Sequence, residues 1–135
     1  MMRIAAAYGA ALVVMGVVDA AYLYFIAGKT FRDTLGDVML ADFKAAPALI
    51  FYLMYPVGIL IFAVLPALEG GRWTNALLMG ALFGFFVYLT YDMTNLATLR
   101  NWTTALAVQD IAWGTFVTGL TATAAFFAAR MVSEG

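Results

Sequence analysis

Apolar residues run almost unbroken through four stretches of the chain, Ile4–Ile26, Ala46–Leu68, Thr74–Leu99 and Ala105–Arg130. Each is long enough to cross a bilayer, which takes roughly 20 residues of α-helix rising about 1.5 Å apiece. Lipid offers no hydrogen bonds to a backbone, so each span is expected to be a helix. The pattern predicts an all-α integral membrane protein. Its single domain, residues 1–135, should fold as an antiparallel four-helix transmembrane bundle.

The connections differ in kind. Glu69–Trp73 (EGGRW) reads as a tight turn with two glycines ending a helix and Trp73 at an interface. Arg100–Thr104 (RNWTT) is equally short and makes a hairpin of spans three and four. The first connection, Gly28–Lys44, is longer. Its Phe31, Leu35, Val38, Met39 and Phe43 recur at helical spacing, opposite Lys29, Arg32, Asp33 and Asp37. That pattern suits an interfacial amphipathic helix between spans one and two, and equally a linker that dips its apolar side. Within span two, Pro56 frees a carbonyl near Tyr52, whereas Pro47 and Pro66 read as helix ends.

Composition agrees with the pattern: 65% of residues are hydrophobic and 11% charged, too few to cover a water-facing surface. The N-terminal run could pass for a signal peptide, but it continues to Ile26 and predicts a retained first span. With a net charge of −1 and no basic patch, no nucleic acid partner is expected. Cysteine and histidine are both absent, so haem and zinc are not expected either. Arginines and lysines divide three against four between the two sides, which leaves orientation open. Arg3 and the tight turn at Arg72 favour cytoplasmic termini.

Polar groups interrupt the spans at one level. Asp19 lies about seven residues before the end of span one, roughly 10 Å into the bilayer. Asp92 near the end of span three, Asp110 near the start of span four, and Tyr52 and Tyr55 near the start of span two fall at similar depth. Tyr88, Asp92, Asn95 and Leu99 share a helix face that Gly80 and Gly84 extend, allowing close approach of a neighbour. Asp110, Trp113, Gly114 and Val117 make a second stripe, and Leu12, Gly16, Asp19 and Tyr22 or Leu23 a third. A lone carboxylate at this depth costs at least a few kcal/mol. The functional reading is one polar pocket holding Asp19, Asp92, Asn95 and Asp110 with Tyr52, Tyr55 or Tyr88. The plainer reading is that hydrogen bonds from these groups fix helix register.

Tyr91-Asp92-x-Thr94-Asn95-x-Ala97, followed by Trp102 and by Asp110-x-x-Trp113-Gly114, resembles a family of small bacterial membrane proteins. It is the domain of unknown function numbered twenty-one seventy-seven. Asp19 late in the first span also fits. The resemblance covers essentially the whole chain and implies four spans in a bacterial cytoplasmic membrane. It brings no established activity or cofactor.

Three functions compete. In an enzyme acting on a lipid or isoprenoid headgroup, Asp92 and Asp110, with Asp19, would be acid and base or hold a hard cation. Oxygen ligands would favour Mg²⁺ or Ca²⁺. Asn95 would orient the substrate, and Arg100 with Trp102 would receive the headgroup. In an accessory subunit the pocket, lined by Tyr52, Tyr55, Tyr88 and Trp113, would hold a lipid, quinone or pigment, or seat a partner helix. Membrane lipid is the expected contact in either case, with a membrane-protein partner or a homo-oligomer open. A small proton-coupled transporter stands third, because polar groups occupy one leaflet only.

Overall fold

The computed structural model describes residues 2–36 and 45–133. These form four helices, each long and apolar enough to cross a membrane, and no strand. Helix α1 spans Met2–Leu35, α2 Ala45–Gly70, α3 Trp73–Thr98 and α4 Thr104–Ser133. The all-α antiparallel bundle is thus present.

Helix α4 is the axis. It packs along both α1 and α3, while α2 closes the fourth side. Small residues make these contacts. A Cβ on Gly80 would stand 2.6 Å from that of Ala122, and one on Gly84 would stand 2.6 Å from that of Thr118. Only glycine lets the α3 and α4 backbones approach so closely. On α1 the buried stripe is Ala7, Ala11, Met15 and Asp19. It lies one position from the expected Leu12 and Gly16, because alanines let α4 come nearer than leucine would.

The turns follow their chemistry. Gly71 ends α2 in the left-handed region (φ 73°), its N–H donating to the Ala67 carbonyl at 2.8 Å. Thr103 caps α4 by accepting the Leu106 N–H at 3.1 Å. Trp73 is exposed near Phe127.

Two features depart from the sequence reading. Helix α1 does not stop near Ile26: a wide π turn at Leu23–Ala27 carries it into Gly28–Leu35. Gly28, which resembles a stop signal, is helical, and a Cβ there would lie 2.5 Å from the Leu23 carbonyl oxygen. The helix ends instead at Gly36, where φ is +58°. At about 50 Å, α1 outruns the roughly 30 Å hydrocarbon layer. Its extension is amphipathic, but it continues α1 through the π turn rather than forming a separate interfacial helix. Leu35 packs on Trp102, Leu106 and Ala107, with Phe31 alongside. Val38, Met39 and Phe43 lie outside the described residues.

The second feature is in α2. Pro66 lies inside the helix, just after a π turn at Leu60–Val64. Proline has no N–H to give, and the wide turn falls where that bond is missing. The first half of α2 packs on α1 and α4, while its backbone stands off α3. Aromatic rings bridge that gap, with Tyr55 stacked on Phe83 at 5.5 Å between centroids.

Candidate functional site

At the end of the bundle where α1 and α3 finish and α2 and α4 begin, the polar side chains meet. Asp19 is buried on α1 and accepts two hydrogen bonds, one from the Tyr52 hydroxyl of α2 and one from the Trp113 indole of α4 at 2.8 Å. Its partner Trp113 also stacks on Tyr22, centroids 3.9 Å apart. Tyr22 in turn accepts from the Gln109 amide at 2.9 Å. One layer further in, the hydroxyls of Tyr55 and Thr118 bond at 2.8 Å. Each of these bonds joins different helices, so the network sets the register among α1, α2 and α4.

Tyr88 stands at the centre, with Asp19, Asp110, Tyr52 and Tyr55 as electrostatic neighbours. Its ring lies flat against Gly114, where a Cβ would overlap the ring carbons. The Tyr-x-x-x-Asp face of α3 and the Asp-x-x-Trp-Gly stripe of α4 thus interlock, ring into glycine.

Asp92 is 0% exposed. Its neighbours are the Asp110 carboxyl and the Trp102 indole. Neither Asp92 oxygen has a hydrogen-bond partner among the described residues, nor does Nε1 of Trp102. The Asp110 carboxyl and the Trp102 N–H are the groups within reach of Asp92, so this cluster is held loosely rather than by well-formed hydrogen bonds.

A cavity of about 560 Å³ opens beside this cluster, between the upper part of α1 and α3. Tyr24, Phe31 and Arg32 of α1 line it together with Tyr88 and Tyr91 of α3 and Asp110 of α4; Asp110 is buried and Arg32 exposed. A second cavity of similar volume fills the gap between α2 and α3, and shares Tyr88 and Tyr91 with the first.

Asp19, Asp92, Asp110, Tyr52, Tyr55, Tyr88 and Trp113 therefore gather in one region. Of these, Asp110 and Tyr88 line the first cavity, and Tyr52 and Tyr88 line the second. Asn95 is half-buried beside Tyr91, outside both cavities. Arg100 is exposed in the α3–α4 turn, and Leu99 is exposed too. Trp102 is no open headgroup platform. It is buried between the α1 extension and α3, edge-on to Phe31 and Tyr91. Among the described residues no three acidic side chains gather to hold a metal ion. Asp92 and Asp110 offer neighbouring carboxyl oxygens, and Mg²⁺ or Ca²⁺ would have to take its remaining oxygens from water, backbone or a bound molecule.

Sequence reasoning missed Arg32, Gln109 and Thr118. Arg32 was legible in principle: Ala20, Tyr24, Gly28 and Arg32 recur every fourth residue, a face that exists only if the helix continues through Gly28.

The threonines of the same stretch have another fate. Thr90, Thr94 and Thr98 turn their hydroxyls back onto the carbonyls of Phe86, Thr90 and Thr94, at 2.7 to 2.8 Å. Self-satisfied hydroxyls can face lipid.

Fold and site together define a small four-span α-helical membrane protein, with a buried polar cluster and adjoining cavities at one end of its bundle. The chain belongs to the family described as Predicted membrane protein (DUF2177), which matches residues 4–127. No curated protein and no solved structure matches it.

Proposed function

We propose that the protein binds the headgroup of an amphiphilic lipid or isoprenoid-like molecule in the cavity between α1 and α3. The observation that carries this reading is the cavity's polarity: an exposed guanidinium, a buried carboxyl, and aromatic or aliphatic residues lining the rest. Ligand sites take this form, mostly apolar with a few placed polar groups. Arg32 suits a phosphate or other anionic group. Asp110 suits a hydroxyl that donates to it. A headgroup both anionic and hydroxyl-bearing satisfies both groups.

Chemistry on the bound molecule is a second reading, favoured by the buried Asp92 beside Asp110. The pair would serve as acid and base toward a hydroxyl in the cavity.

Native mass spectrometry of delipidated protein titrated with phosphatidylglycerol tests the binding. Arg32→Gln removes a charged hydrogen bond worth about 1.5–3 kcal/mol, so affinity should fall roughly tenfold or more. Asp110→Asn should weaken binding less, because the amide oxygen still accepts. Wild-type affinity in both variants would overturn the reading.

A further inference from the structure

We infer that the groove between α2 and α3 holds the hydrocarbon chain of the molecule whose headgroup sits between α1 and α3. The inference rests on the headgroup reading above and adds where the chain goes.

The groove is built by how α2 is tethered. Tyr52 bonds Asp19, and the Tyr8 hydroxyl donates to the Leu53 carbonyl at 2.7 Å, so two hydrogen bonds hold the first half of α2 against α1. Among the described residues no hydrogen bond is seen drawing it to α3, and rings such as Tyr55 and Phe83 span the distance. Nearer the helix start, Pro47 and Ala48 are too small to fill the gap. A cavity of about 560 Å³ remains.

Its walls select the occupant. Pro47, Ala48, Phe51 and Val87 are apolar, and the Tyr52 hydroxyl is already committed to Asp19. A polar occupant would lose its hydrogen bonds here. A partner helix about 10 Å across would fit roughly one turn into this volume, too little to seat a span. A hydrocarbon chain fits, and both helices bordering the groove carry lipid-facing side chains, among them Ile50, Met54 and Phe86. Continuity with the first cavity is through Tyr88 and Tyr91, which belong to both. A molecule with its head at Arg32 and Asp110 need only pass these rings to lay its chain along Val87 and Phe51.

The test is chain-length selection by the intact, delipidated protein. An equimolar mixture of phosphatidylglycerols with short, medium and long saturated chains is presented, and the bound population is read by native mass spectrometry. Ala48→Trp and Val87→Trp each narrow the groove. Every methylene they exclude should cost about fourfold in affinity, so the bound population shifts toward shorter chains. Phe51→Ala widens the groove and should shift it toward longer ones, which guards against a tryptophan variant that folds poorly. Arg32→Gln should weaken all lengths alike. An unchanged length profile in all three groove variants, with Arg32→Gln still weakening binding, would overturn the chain site and leave the headgroup site standing. Wild-type protein that retains no phosphatidylglycerol would overturn both.

Discussion

Asp92 is a costly group to bury, and it is 0% exposed. A sealed carboxyl whose oxygens lack well-formed hydrogen bonds forgoes about 1–3 kcal/mol, and more if it is charged. Asp92→Asn keeps the shape and supplies an amide donor toward Asp110. We expect this variant to be more stable by about 1–3 kcal/mol, seen as a higher melting temperature in detergent. A melting temperature lower than wild type would mean that Asp92 gains more from its surroundings than the geometry shows. Gly114→Ala tests the opposite kind of residue. The added methyl would overlap the Tyr88 ring, and overpacking of this sort costs about 1–3 kcal/mol. The expected result is a lower melting temperature, and in a Tyr88→Ala background, itself destabilised, the same glycine change should cost far less. The depth of Asp19, Asp92 and Asp110 was legible in the sequence because the distance of a residue from a span end gives its height. Their pairings were not: which of Tyr52, Tyr55 and Tyr88 reaches Asp19 depends on helix rotation and tilt, which periodicity leaves open.

Among the elements, α1 taught most. The apolar pattern marked its membrane-crossing part well but ended it at Gly28, where charged residues begin. Pattern alone cannot separate a helix that stops from one that leaves the hydrocarbon and continues. The deciding feature is the π turn, in which Gly28 donates to the Leu23 carbonyl. With alanine at Gly28 that turn meets a Cβ at 2.5 Å. It should relax to ordinary α-helix, rotating everything beyond it by about 100° for the residue removed from the turn. Leu35 would then leave the Trp102 pocket. Trp102 fluorescence reads the change: Gly28→Ala should red-shift the emission as the indole meets water. An unshifted spectrum would show that the extension holds its place without the wide turn. The short turns at Gly71 and Thr103, by contrast, were legible from a few residues each, because capping is local chemistry.

For the whole molecule, four spans return the chain to the side on which it began, so reporters fused before Met2 and after Ser133 should answer from the same compartment. Opposite answers would contradict the bundle. This much was visible from hydropathy, since counting apolar runs needs no contacts. The central position of α4 was not. Its sequence is no more apolar than the others, and its place comes from the small residues Gly114, Gly119, Ala122, Ala125 and Ala129, which matter only once neighbours are known.

That axis is also the last of the four helices in chain order, so it is synthesised after the three that pack around it. During synthesis α1, α2 and α3 must wait in the bilayer around a centre that does not yet exist. Without α4, Asp19 would keep its Tyr52 partner but lack the Trp113 indole, and the α3 face bearing Asp92 would be uncovered. The order of synthesis therefore opposes the order of packing. A chain halted before Thr104 would lack both the indole that bonds Asp19 and the helix that covers the Asp92 face, so α4 is needed to complete the burial of both carboxyls.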